Sequence, residues 1–175
     1  MPDSITLQTL NELPAAQFVA TLAGIFEHSP WVAERVAAAR PFGSRQQLLE
    51  AMRTAVAQAN PETQLALIRA HPKLGARGAQ RSELTAASAG EQRRAGLAAC
   101  GAEQWQQLER LNAAYLEKFG FPFILAVRGH DPDSIIRQIE RRLVQPPALE
   151  QQAALQEIGL IAHYRLVDLV ADPGS

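Results

Sequence analysis

With a single cysteine, Cys100, in 175 residues, the chain can form no internal disulfide and offers no paired-thiol redox motif. An excess of either sign of charge is missing too. Seventeen basic side chains stand against eighteen acidic ones, leaving a net charge of −1. No global positive field is therefore available to hold nucleic acid or an anionic membrane surface. The sequence also lacks an apolar run long enough to span a bilayer and a charged-then-apolar leader, which makes the cytoplasm the expected location. It ends Asp172-Pro173-Gly174-Ser175, not in a peroxisomal tripeptide. The four histidines, His28, His71, His130 and His163, lack paired ligand spacing, and neither HExxH nor CxxC occurs, so no metal site is expected. GxGxxG and GxxxxGK[ST] loops are missing too, which argues against a nucleotide cofactor.

What is present is the composition of an ordinary globular chain: 47% apolar and 20% charged residues are enough to build a core. The length fits one domain, residues 1–175, without repeats or linkers. Nearly every segment reads as helix. Ser29-Pro30, Asn60-Pro61 and Asp131-Pro132 each pair a capping residue with a first-turn proline. Phe18, Leu22, Ile25 and Phe26 form one apolar stripe. Leu48, Met52 and Val56 form another behind Ser44, whose partner Gln47 would complete a capping box. Leu65 and Ile68 continue the pattern, followed by Trp105, Leu108, Leu111, Tyr115 and Phe119, which Gly120 should stop in a left-handed turn. Ile135, Ile136, Ile139 and Leu143 line a further helix. Beyond Pro146 and Pro147, a last long one carries Leu155, Ile158, Ile161, Leu166 and Leu169. The expected fold is an all-α helical bundle. Its exception is an extended apolar loop near 121–128, where Phe123 to Val127 looks strand-like but has no sheet to join. The longest stretch without a convincing helix runs from Lys73 to Thr85.

Four places could carry chemistry. His71 precedes Pro72, which disfavours a helical conformation and should leave the imidazole on a corner just past a helix end. There the helix dipole favours imidazolium, suited to proton donation or anion binding; the plainer alternative is a surface capping histidine. Ser88 and Glu91 have capping-box spacing, yet a helix start at Ser88 to Gln92 could also seat an anion with Glu91 turned inward. Arg165 shares an apolar face with Ile158, Ile161 and Leu169. A guanidinium there needs a carboxylate, carbonyl acceptors, an anionic ligand or a stem that snorkels to water. Finally, the backbone donors of Phe123, Ile124, Leu125, Ala126 and Val127 need partners. They either cap neighbouring helices or hydrogen-bond a polar ligand. Cys100 reads as a helix-end core residue.

HPKLG at 71–75, SAGEQRRAGL at 88–97, LNAAYLEKFGFPFILAVRG at 111–129 and IxxxRL at Ile161 to Leu166, with SPWV at Ser29 to Val32 and ARPF at Ala39 to Phe42, together resemble the OHCU decarboxylases. OHCU is 2-oxo-4-hydroxy-4-carboxy-5-ureidoimidazoline. The resemblance runs from about Leu10 to Leu169. It implies an all-helical, cofactor-free carboxy-lyase, usually a homodimer, that takes a small anionic substrate to (S)-allantoin in urate degradation. By that resemblance His71 and Glu91 are catalytic, and Arg165 is part of the same centre. Pro72, Ser88, Gln92 and the run from Phe123 to Val127 contact the ligand. Two departures stand out: the loop after His71 reads PKLGARG, where many relatives carry an acidic residue and an AGK-like stretch, and His163 replaces commoner residues. The competing readings are a catalytically silent helical binding module and a decarboxylase of another ureido or imidazoline acid.

Overall fold

A computed structural model describes residues 4–75 and 84–172; most of the loop expected from Lys73 to Thr85, and the last three residues, lie outside them. The described chain is all-α apart from one very short strand pair. Its elements are β1 (Ile5–Thr6), α1 (Leu7–Glu12), α2 (Ala15–Leu22), α3 (Trp31–Val36), α4 (Arg45–Ala57), α5 (Pro61–Arg69), α6 (Ala86–Arg94), α7 (Ala102–Phe119), α8 (Pro132–Leu143), α9 (Pro147–Leu169) and β2 (Val170–Ala171). Short 3-10 turns occupy Ala37–Ala39 and Leu97–Ala99. Among the described residues no helix is long and apolar enough to cross a membrane.

The chain divides into two compact units, one comprising the N-terminal part through Leu67 and the C-terminal part from Gly159, the other Ile68–Ile158. In the first unit β1 pairs in parallel with β2, Ile5 opposite Val170. The sequence gives no sign of this pair, because two residues carry no alternation to read. The stripe of Phe18, Leu22, Ile25 and Phe26 is buried as expected, but not all of it is helical. α2 ends at Leu22, and the Ile25 N–H turns back to the Leu22 carbonyl at 3.0 Å, a tighter bond that closes the last turn. Ser44 accepts the Gln47 amide at 3.1 Å, whereas the Gln47 side chain accepts from Gly43 at 2.8 Å, one residue upstream of the expected box. Ser29 does not cap α3: its hydroxyl donates to the Glu27 carbonyl at 2.9 Å and Pro30 takes the cap position. Asn60 does cap α5, accepting the Thr63 amide at 2.8 Å.

In the second unit α7 ends at Gly120 in the left-handed conformation, φ 74°, as the sequence indicates. α8 opens with Pro132 behind Asp131, whose carboxylate accepts the Ser134 amide at 2.7 Å while the Ser134 hydroxyl accepts the Asp131 amide. From Pro122 to Val127 the chain forms neither helix nor strand, and Phe123 to Val127 are all buried, so the expected extended apolar loop is present. Beside it lies a buried charged cluster. Arg142 meets Glu150 with Nε at 2.6 and 3.0 Å from the two carboxylate oxygens. The Tyr115 hydroxyl donates to the same carboxylate at 3.0 Å. Burial pushes the Tyr115 phenol well above its ordinary range; Glu150 adds to the rise and Arg142 opposes it, so the group stays protonated as a donor.

Candidate active site

α5 ends two residues before His71, whose N–H bonds back to the Ile68 carbonyl at 3.2 Å, and the half-buried Pro72 then turns the chain away from helix. The histidine is at the expected corner but not on the surface. Only 7% of it is exposed, which rules out the solvent-facing capping residue. The corner is held from two helices. Gln92 on α6 accepts the Gly75 amide at 2.9 Å and donates to the Lys73 carbonyl at 3.3 Å. Asn112 on α7 donates to the Leu74 carbonyl at 3.0 Å. Gly75 itself has φ +76°, and a Cβ there would lie 2.5 Å from Leu108 Cδ2 and 3.0 Å from Trp105 Cζ3, so only glycine allows this approach. Three consecutive residues after Pro72 are thus fixed through their peptide groups, a rigid mount for an imidazole.

α6 begins earlier than the Ser88–Glu91 spacing suggests. Thr85 is the capping residue, and its hydroxyl accepts the Ser88 amide at 3.2 Å. Threonine is one of the preferred capping residues, and Ala86 and Ala87 favour helix, so the helix extends upstream and Ser88 becomes its third residue. The capping box at Ser88 and the free helix start at Ser88 to Gln92 are both corrected by this. Ser88 and Gln92, four apart, are buried on one face, and Glu91 is half-buried between them. Gln92 is directed at the histidine corner's backbone, whichever ligand the site takes.

Arg165 belongs to the first unit, whereas His71, Ser88, Glu91, Gln92 and the extended run belong to the second. Its Nη1 donates to Glu27 Oε2 at 2.7 Å and to the Gly24 carbonyl at 3.0 Å. With Arg165 7% and Glu27 1% exposed at their side chains, the guanidinium does not snorkel; it is held in a buried ion pair. Glu27 was not foreseen, because it sits in a turn with no helical period to assign it a face.

The run from Phe123 to Val127 does not cap helices. Arg142 Nη1 donates to the Ile124 carbonyl at 2.6 Å, the Ala126 amide donates to Glu157 at 2.8 Å, and the Val127 carbonyl accepts from the His130 amide at 2.9 Å. The remaining peptide groups of these five buried residues, including both of Leu125, make no hydrogen bond among the described residues. Buried peptide groups without partners suit a surface that meets a polar ligand.

Fold and site together define a predominantly helical protein with a buried histidine on a clamped corner and, in the same unit, an extended run in which several peptide groups make no hydrogen bond among the described residues. A family model described as OHCU decarboxylase matches residues 11–167. The chain belongs to this family. It is 44% identical over 164 residues to the 2-oxo-4-hydroxy-4-carboxy-5-ureidoimidazoline decarboxylase of Haloferax volcanii, covering 94% of this chain and 95% of that one. To the enzyme of the same name from Amia calva it is 34% identical over 169 residues, 97% of each chain. A crystal structure of (S)-allantoin synthase matches with a TM-score of 0.77 at 28% identity, over 95% of this chain and 54% of that chain. The present chain therefore spans about half the length of that protein.

Proposed function

We propose that the protein decarboxylates OHCU to (S)-allantoin in urate degradation, as a carboxy-lyase that requires no cofactor and acts in the cytoplasm as a homodimer. The observation that carries the reading is His71: a buried imidazole on a corner fixed by Gln92, Asn112 and Gly75, in a chain of the decarboxylase family. Breaking the bond to the carboxylate leaves an electron pair, and the substrate's own conjugated ring imine accepts it, so no external electron sink is needed. The protein must then orient the carboxylate, control the neighbouring hydroxyl's proton and protonate one face of the carbanion equivalent.

In this reading His71 handles the hydroxyl proton or serves as acid, Glu91 orients it or the substrate, and Arg165, paired with Glu27, holds anionic oxygen. Pro72 and Ser88 border the ligand, Gln92 supports the histidine corner, and the unpaired peptide groups from Phe123 to Val127 fix the ring. The test generates OHCU in place from urate with urate oxidase and hydroxyisourate hydrolase and follows circular dichroism as allantoin appears. Accumulation of the S enantiomer above the spontaneous rate is expected; racemic allantoin at the spontaneous rate refutes the assignment.

A further inference from the structure

Arg142 combines four features that a structural ion pair does not require. It is 6% exposed, and its partner Glu150 1%. Nε is committed to both Glu150 oxygens and Nη1 to the Ile124 carbonyl at 2.6 Å, while Nη2 is buried without a hydrogen-bond partner. The guanidinium carbon lies 4.6 Å over the Phe123 ring, so the same side chain touches two successive residues of the extended run. Tyr115 braces the arrangement from behind: its hydroxyl holds Glu150, and its ring meets Phe123 edge-on at 5.2 Å and Phe121 at 6.0 Å.

As a means of stabilising a core this cluster is a poor choice. Removing two charges from water costs about as much as their attraction returns, and apolar side chains of the same volume commonly serve as well or better. What an apolar replacement cannot do is grip a carbonyl. Ile124 immediately precedes Leu125, whose N–H and C=O make no hydrogen bond among the described residues. Fixing the Ile124 carbonyl also fixes the peptide plane that carries the Leu125 N–H, because carbonyl and amide belong to one rigid unit. Glu157, by accepting the Ala126 N–H at 2.8 Å, fixes the plane that carries the Leu125 carbonyl in the same way. Both planes that flank Leu125 are thereby set by side chains from α8 and α9.

We propose that Arg142, braced by Glu150 and Tyr115, is a positioning residue for the substrate: its grip on the Ile124 carbonyl aligns the Leu125 peptide groups that hydrogen-bond the substrate ring. This rests on the proposed function, which assigns the run from Phe123 to Val127 to the ligand. The two are separated by assaying the unaltered protein first, since failure there to produce (S)-allantoin from OHCU faults the functional reading and not the role of Arg142. With that activity in hand, two variants are compared, Arg142→Lys, which keeps the charge and loses the fork, and the double replacement Arg142→Met with Glu150→Leu, which keeps the volume and removes the buried pair. In both, KM for OHCU is expected to rise about tenfold to a hundredfold, the worth of one charge-assisted hydrogen bond. kcat should fall much less, and the product should remain the S enantiomer, because the proton donor is untouched. The double variant should melt no lower than the unaltered protein. KM within twofold of the unaltered value in a folded variant overturns the proposal. So does failure of the double variant to fold, since that makes the cluster part of the framework.

Discussion

Alanine at position 75 tests whether the histidine corner is seated on α7 as closely as the structure shows. Gly75 has φ +76°, where an L side chain costs about 1–2 kcal/mol. The added methyl would then lie 2.5 Å from Leu108 Cδ2 and 3.0 Å from Trp105 Cζ3. Leu108 is 1% exposed, so its methyl cannot swing out to solvent, and overpacking of this kind adds about 1–3 kcal/mol. The sum, about 2–5 kcal/mol, corresponds to a melting point lowered by about 4–20 °C for a chain of this size. Gly129→Ala supplies the control: it has φ +83° but nothing within 4 Å of the added carbon, so only the conformational cost of about 1–2 kcal/mol applies. Differential scanning calorimetry on both variants, with the coupled OHCU assay alongside, separates the contributions. Gly75→Ala should melt several degrees below Gly129→Ala and should also lose turnover, because relieving the clash means lifting the segment that follows His71. If the two variants melt together and Gly75→Ala keeps full kcat/KM, the close seating of the corner is wrong, and with it the rigid mount for the imidazole.

Glu27→Ala strips the buried Arg165 of its carboxylate and should cost about 3–5 kcal/mol, read from the urea midpoint; a loss under about 1 kcal/mol would mean the pair is hydrated. Gln92→Glu keeps the acceptor for the Gly75 amide and removes the donor to the Lys73 carbonyl, whereas Gln92→Leu removes both. Turnover should fall in that order, by about threefold to tenfold per bond lost, and equal rates in the two variants would refute the clamp. The Asp131 carboxyl titrates below its ordinary value of 3.8, chiefly through the Ser134 amide it accepts. A lowered folded-state value means that the stabilisation is present above the usual carboxylate range and is lost as pH falls through the folded value. The melting-point gap between the unaltered protein and Asp131→Ala should therefore be full at pH 7 and narrow below about pH 3.8; a gap that ignores pH would show that the charge plays no part.

Where a helix starts was legible when the local chemistry had a single solution. Asn60-Pro61 and Asp131-Pro132 each combine a side chain able to accept an amide with a ring that cannot donate one, and both cap as read. Ser29-Pro30 carries the same signal and fails. The turn that brings Glu27 inward takes the Ser29 hydroxyl to the Glu27 carbonyl, so a tertiary requirement overrides the local one. Ser88 carries a capping signal that is overridden for a different reason: Thr85 offers a capping hydroxyl three residues earlier, and nothing between them opposes helix. The position of His71 at a helix end followed from Pro72, but its burial did not, because burial is a tertiary property: α6 and α7, which hold the three residues after Pro72, come later in the chain.

A polar side chain carried inward on an apolar helical face needs a buried partner. Arg165 attracted notice as a cation on an apolar helical face, and the structure gives it a buried partner. Asn112 sits four residues after Leu108 and three before Tyr115 on α7; Arg142 sits three after Ile139 on α8; both are buried on apolar faces. Both obey the same rule, one as the clamp on the Leu74 carbonyl and the other as the grip on Ile124. The sequence conceals what each one holds. A helical period reveals that a polar group will be carried into the core, and physics then demands a partner. Yet Glu27 and Arg165 are 138 positions apart, and the peptide groups held by Asn112 and Arg142 belong to loops without any period. Side chains in helices can therefore be nominated from spacing alone, while the backbone they exist to hold becomes visible only in the folded chain.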